Sequence, residues 1–185
     1  MLFSGELVRL RSIIEDDLKY AAGYLNDPEI ILLLDDDAPI PTSLEKQKEW
    51  FAEYLKEKDI SKGLELAIET VKERKYIGSC FAHHMDLKNR HTLVGIFIGD
   101  REYLGKGYGT EAMMLLMDYL FDEVNLNKIS LDVFSFNERA IRSYEKLGFK
   151  VEAIGREAVF RFGGYHDLYA MGILREEYHE LRKKF

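Results

Sequence analysis

Arg101-Glu102-Tyr103-Leu104-Gly105-Lys106-Gly107-Tyr108-Gly109-Thr110-Glu111-Ala112 is the stretch that decides how the rest of the chain is read. It follows a strand-like run ending near Gly99 and opens a run of helical periodicity at Tyr108. Alternating glycines let a backbone turn tightly and approach a ligand with no side chain in the way. The free N–H groups of a helix start then point at an anion, and the helix dipole favours it. A pyrophosphate is the natural guest. Two common phosphate motifs do not fit. A P-loop needs Gly-Lys followed by Ser or Thr, yet Lys106 is followed by Gly107, and Gly99 lies one residue too far upstream. A dinucleotide fingerprint counted from Gly105 needs glycine where Thr110 stands. Taken alone, the loop reads equally as a pyrophosphate cradle or a surface turn without a ligand.

Working downstream, residues 108–123 place Ala112, Leu115, Leu116, Tyr119 and Leu120 on one helical face, the spacing of a core. Residues 128–134 read as a strand, and 138–147 as a helix that Gly148 ends in a left-handed cap. Residues 151–161 and 165–173 flank Phe162-Gly163-Gly164 as a closing hairpin, and the charged tail 175–185 is compatible with a helix. Upstream, residues 64–71, 76–85 and 92–99 alternate as strands joined by polar turns, which predicts an antiparallel meander. Residues 7–13 have strand character, and 16–26 read as a helix through Leu18, Ala21, Ala22 and Leu25. All three prolines fall in residues 27–43, predicted to be a long loop rather than helix or strand. Loops of that length are often functional. Thr42 and Glu45 have capping-box spacing and open a helix expected to end near Lys58. Strands fill the middle and helices punctuate both halves, so the class is α+β (mixed α/β), in a single domain over residues 1–185.

Composition narrows the function. The 185 residues carry 46% apolar side chains and a formal charge of -7, so a general phosphate-backbone binder of nucleic acid is not expected. The charge suits a cationic substrate. One cysteine, Cys80, excludes an internal disulfide framework and fits a reducing cytoplasm. It lies among apolar strand residues and reads as packing rather than as a nucleophile. The opening residues do not form a signal peptide, and the longest apolar run, residues 112–117, cannot span a bilayer. No metal-ligand spacing occurs among the five histidines and Cys80.

A second motif changes the weight of the first. The loop, together with Asn137-Glu138-Arg139-Ala140-Ile141-Arg142-Ser143-Tyr144-Glu145-Lys146-Leu147-Gly148-Phe149, resembles the GNAT superfamily of N-acetyltransferases. Within it, the resemblance is to the branch of ribosomal-protein N-terminal alanine/serine acetyltransferases and spermidine acetyltransferases. Gly164-Tyr165-His166-Asp167 followed by Met171-Gly172-Ile173-Leu174-Arg175 is also typical of that branch. The family loop pattern places glycines at Gly107 and Gly109, while Leu104 stands where Gln or Arg is common.

The resemblance implies a mixed, mostly antiparallel sheet of about seven strands, flanked by helices, whose fourth and fifth strands splay apart. It implies that acetyl-CoA lies in that fork, its pantetheine arm against backbone near Phe97 and Ile98. Gly105, Lys106, Gly107, Tyr108, Gly109 and Thr110 would surround the pyrophosphate, with Lys106 either adding charge there or simply solvated. Asn137 would serve both the arm and the helix N-cap. Tyr144 would protonate the departing thiolate, a fair match because a phenol titrates near 10; otherwise it packs with Ile141 and Leu147. Leu93 replaces the glutamate that many members of the branch carry two residues before Gly95. That leaves proton removal to ordered water, or to His83 or His84, of which alternation lets only one face the cleft. The acceptor would enter between the first two helices and the final hairpin, near Asp35, Asp36 and Asp37 on one wall and Tyr165 and His166 on the other. A homodimer is common in the family.

The leading expectation is therefore an acetyl-CoA-dependent N-acetyltransferase of a primary amine, with a peptide or protein N-terminus as first acceptor. A polyamine or amino-antibiotic acetyltransferase of the same fold is the alternative, and a non-catalytic acyl-CoA-binding module is the reading from another class.

Overall fold

The computed structural model describes residues 2–34, 38–57 and 59–183. Seven strands form one sheet in the order β1-β2-β3-β4-β5-β7-β6. They are β1 (Val8–Ser12), β2 (Leu64–Thr70), β3 (Tyr76–Asp86), β4 (His91–Ile98), β5 (Lys128–Phe134), β6 (Lys150–Arg161) and β7 (Gly164–Leu174). The helices are α1 (Leu18–Leu25), α2 (Pro28–Ile31), α3 (Leu44–Tyr54), α4 (Tyr108–Asp118), α5 (Glu138–Lys146) and α6 (Arg175–Arg182).

Every neighbouring strand pair is antiparallel except β4 and β5. Those two run parallel and share register only through His91↔Lys128, Thr92↔Ile129 and Leu93↔Ser130. Beyond that point β4 continues to Ile98 and β5 to Phe134 without pairing, so the sheet forks as expected.

One face of the sheet is covered by α4. Its buried side chains Ala112, Met113, Leu116 and Met117 join Leu10, Ile68, Ile77, Val94, Ile129 and Leu131 in the main core. Fully burying each Leu, Ile, Val or Met of this set stabilises the fold by about 1.5–3 kcal/mol, and Ala112 by less. Glu111 fixes the start of β1 to this helix, its carboxylate accepting from the backbone N–H groups of Glu6, Leu7 and Val8 at 2.8–2.9 Å. On the other face, Leu18 and Ala21 of α1 pack on Ala67 and Tyr76, with Leu44 and Phe51 of α3 at the margin.

Three local readings are corrected. The proline-bearing segment 27–43 contains a helical turn, α2, because Pro28 occupies its first position, where no N–H is needed. The side chain of Asp27 caps that turn by accepting from Glu29 N–H. The cap of α3 is Ser43, which accepts from Lys46 N–H at 3.1 Å, whereas Thr42 exchanges two hydrogen bonds of 2.8 Å with the Asn26 amide. That exchange ties the two ends of the loop together, and α3 ends at Tyr54 rather than near Lys58. The helix 108–123 closes with a π turn over Tyr119–Glu123.

Candidate active site

The fork between β4 and β5 opens into a cleft of about 550 Å³. Ile96, Phe97 and Ile98 form one lip, and Asp132, Val133 and Phe134 the other. The lip on β4 has backbone groups no longer paired with β5, which suits an amide-bearing chain lying along it as an added strand.

At one end the glycine loop closes the cleft. Gly105 has φ +71° and Gly107 φ +91°, left-handed values that favour glycine, and Gly107 is the N-cap residue of α4. A Cβ built on Gly105 would meet nothing within 4 Å, so the loop leaves open space for a guest. Gly105, Gly107, Gly109 and Thr110 line the cleft, and the orphan N–H groups of the first turn of α4 belong to the same rim. Thr110 and Ser143 hydroxyls lie 3.1 Å apart and clip the start of α4 to α5.

The helix α5 supplies the floor. Asn137 caps it, its side-chain oxygen accepting from Ala140 N–H at 3.2 Å. Tyr144 follows two turns later on the same face, only 8% exposed yet on the cleft wall. Burial pushes its phenol up to about 12, so it is protonated throughout the physiological range. Arg139, Arg142 and Lys146 also line the cleft. Sequence reading missed these three cations, although their i, i+3, i+7 spacing puts them on one helix face.

The far end of the cleft is built by α2 and the residues after it. Glu29, Ile30, Leu33 and Leu34 line the cleft together with Asp132, Phe134 and Leu168. Arg101 holds this wall against the glycine-loop region by a bidentate bond to Asp27, at 2.6 and 2.8 Å, and a 3.1 Å pair with Glu29. That bond holds the Asp27 carboxyl below the usual carboxylate range.

Several expected residues lie elsewhere. Tyr108 is absent from the cleft lining and packs edge-on against Tyr103, which does line it, with ring centroids 4.9 Å apart; Lys106 is exposed outside the lining. Tyr165, 67% exposed, packs on Phe160 near the tip of the β6–β7 hairpin. His166 is bonded through Nε2 to the Arg161 carbonyl at 3.0 Å, with its ring edge-on to Phe136. Neither hairpin residue lines the cleft. Asp35, Asp36 and Asp37 lie outside the described residues. His83 stands against Phe81 one strand away from the fork, its imidazole pushed down by burial, and His84 is exposed in a left-handed conformation. Leu93 sits at the last paired step of β4 and carries no proton acceptor. Cys80 is fully buried in the core, and burial pushes its thiol up.

Comparison with known proteins gives this geometry a family. A model of the acetyltransferase (GNAT) domain matches residues 8–150. The SPbeta prophage-derived uncharacterized N-acetyltransferase YokL of Bacillus subtilis is 32% identical over 95% of this chain and 94% of its own length. The spermidine N(1)-acetyltransferase of Escherichia coli strain K12 is 31% identical over 95% of this chain and 90% of its own. Among solved structures, the spermidine N-acetyltransferase of Vibrio cholerae, in complex with CoA and spermine, superposes with a TM-score of 0.82 at 26% identity. That match covers 93% of this chain and 98% of the other. A family match over most of the chain and likeness over nearly whole lengths agree with the forked sheet: the chain belongs to the GNAT acetyltransferases and is an acetyl-CoA-dependent N-acyltransferase.

Proposed function

We propose that this enzyme acetylates a primary amine of a polyamine, with acetyl-CoA lying in the fork between β4 and β5. The order of acceptors expected from sequence is thereby reversed, because the similar proteins with a named substrate, matched over nearly their whole lengths, act on spermidine. One observation in the molecule itself carries the reading, namely the polarity of the cleft. Arg139, Arg142 and Lys146 stand on the α5 side, beside the glycine loop, where phosphates would lie. Asp132 and the Glu29 carboxylate, which also meets Arg101 at 3.1 Å, line the same cleft and would draw a cationic amine.

Acetyl-CoA supplies an activated acyl group whose carbonyl carbon accepts the amine. The backbone of Gly105 to Thr110 holds the pyrophosphate, and the unpaired edge of β4 at Phe97 and Ile98 holds the pantetheine arm. Asn137 adds a polar contact from the start of α5. Tyr144 donates its proton to the departing sulfur. Its raised pKa does not oppose this, since the same burial raises the proton affinity of a thiolate beside it.

Release of CoA should be measured with spermidine, spermine, butylamine and peptides beginning with alanine or serine. Spermidine or spermine should give the highest kcat/KM, with a KM that rises with salt as screening weakens the attraction. Preference for a peptide would restore the N-terminal reading, and binding of CoA without turnover of any amine would favour the non-catalytic module.

A further inference from the structure

We propose that Arg101 is a positioning residue for the acceptor, fixing the wall carried by α2 at the place along the cleft that the amine requires. The proposal rests on acetyl-CoA lying along the fork and the glycine loop, which leaves the α2 wall to the acceptor. It does not depend on which amine is acetylated.

Arg101 opens the single turn Arg101–Tyr103, which leads from the end of β4 into the glycine loop. Asp100 caps this turn by accepting from Glu102 N–H at 3.0 Å, and it meets Lys75, between β2 and β3, at 2.6 Å. Tyr103 and Leu104 already line the cleft. The end of α1 comes close to the same place, because Gly99 has no Cβ and the Tyr24 side chain occupies the space one would fill. From there the chain enters α2, one helical turn whose Ile30 is buried. Arg101 meets that turn at its cap. Its Nε and Nη2 donate to the two Asp27 oxygens at 2.8 and 2.6 Å, and Nη1 lies 3.1 Å from a Glu29 oxygen. The guanidinium thus closes a ring that runs from the glycine-loop turn through α2 and α1 back to Gly99.

A single helical turn has little stiffness of its own. Where Glu29, Ile30, Leu33 and Leu34 stand along the cleft therefore depends on what holds the ends of that turn. A bidentate fork fixes direction as well as distance, which a lone ammonium does not. The Arg101 side chain is 53% exposed, so the ion pair adds little to stability, and what it supplies is position. Position and charge predict different signs. Deleting the Arg101 charge makes this end of the cleft more negative, and deleting the Asp27 charge makes it less so. A cationic acceptor drawn by charge alone would bind more tightly in the first case and more weakly in the second. A wall released from Arg101 loses acceptor affinity in both.

Arg101→Gln and Asp27→Asn, the second of which keeps a good helix cap, test the difference. Each should raise the KM for spermidine at saturating acetyl-CoA by about fivefold, the upper range for an exposed ion pair. The kcat should change little, because the lost interaction is made equally before and during the reaction. The double variant should be no worse than either single one, since all three break the same bond. Arg101→Lys keeps the charge without the fork and should fall between wild type and Arg101→Gln. Affinity for CoA, read by calorimetry, should match the wild type throughout. Shifts of KM in opposite directions in the two single variants would overturn the proposal. So would a double variant that returns to the wild-type KM, or a loss of CoA affinity as large as the rise in KM. Preference for butylamine or an alanyl peptide in the wild type would instead refute the polyamine reading, and the KM of that amine then reports on Arg101 in the same way. If spermidine binds the CoA-saturated protein without turnover, its calorimetric Kd takes the place of KM. Absence of binding by any of these amines would leave α2 no acceptor to position and would overturn the proposal.

Discussion

Asn137 and Tyr144, seven residues apart on α5, share a helix face, and the structure sets both on the wall of one cleft. Their roles differ in what a substitution should show. Tyr144→Phe removes one oxygen from a buried ring, so we expect kcat to fall about a hundredfold with little change in acetyl-CoA affinity. The pH profile sharpens the test. An alkyl amine titrates near 10 like a lysine, so the rate should climb with pH as neutral amine accumulates. The phenol, held up at about 12, is still protonated there, and no downturn from Tyr144 should occur below about pH 11. The phenylalanine variant should have the same profile at lower height; wild-type turnover would make Tyr144 a packing residue. Both positions were legible because a thirteen-residue run carried them. Asp132 was not. Alternation along β5 shows only that it faces away from Leu131 and Val133, and whether that side is solvent, core or cleft depends on where β4 leaves β5, a property of two distant segments.

The glycine loop was readable as an element, while the wall opposite was not. Three prolines marked residues 27–43 as irregular, yet proline is compatible with a first helical position when an aspartate caps it, and α2 forms there. Its attachment through Arg101, 74 residues from Asp27, left no local trace. The cation face of α5 was hidden differently, since charges at helical spacing on an exposed helix usually mean only solvation. The loop itself carries a prediction that the backbone modifies. Left-handed φ at Gly107 means that Gly107→Val strains the fold as well as obstructing the ligand, by about 1–2 kcal/mol. Melting should therefore fall by roughly 2–8 °C. Gly163, at φ +78° in the tip of the distant β6–β7 hairpin, imposes the same strain and serves as a control. Gly107→Val should lose more than tenfold in CoA affinity by calorimetry, whereas Gly163→Val should melt earlier with its affinity intact. Equal affinities in the two variants would remove the pyrophosphate from this loop.

At the scale of the whole molecule, the splaying of the fourth and fifth strands followed from family likeness, whereas the strand order and the parallel step between β4 and β5 came only from the structure, since periodicity predicts strands but not their neighbours. Stability against pH is a property of the whole fold that neither source suggested. Glu65 lies on β2, where Tyr54 of α3 donates to its backbone carbonyl, and burial pushes its carboxyl from 4.5 to about 7. The folded state thus keeps a proton that the unfolded chain releases above about 4.5. Between those values the folded state binds more protons, so stability must fall as pH rises and level off above about 7. Asp27, Asp59, Asp86 and Asp100 act in the opposite sense, being held below their ordinary range, and their contribution is lost only as pH drops below about 4. The two trends place the maximum near pH 5. A displacement from 4.5 to about 7 corresponds to at most about 3 kcal/mol, and partial exposure of Glu65 brings the expected loss to about 1–2 kcal/mol. Thermal melts taken from pH 5 to 8 should then fall by roughly 2–8 °C in the wild type. Glu65→Gln cannot ionise, so its melting temperature should not fall over that range; it should rise slightly instead, because burial holds the His83 and His91 imidazoles below their ordinary value and their charging costs less stability as pH rises. A slope in Glu65→Gln equal to that of the wild type would show that another group sets the pH dependence.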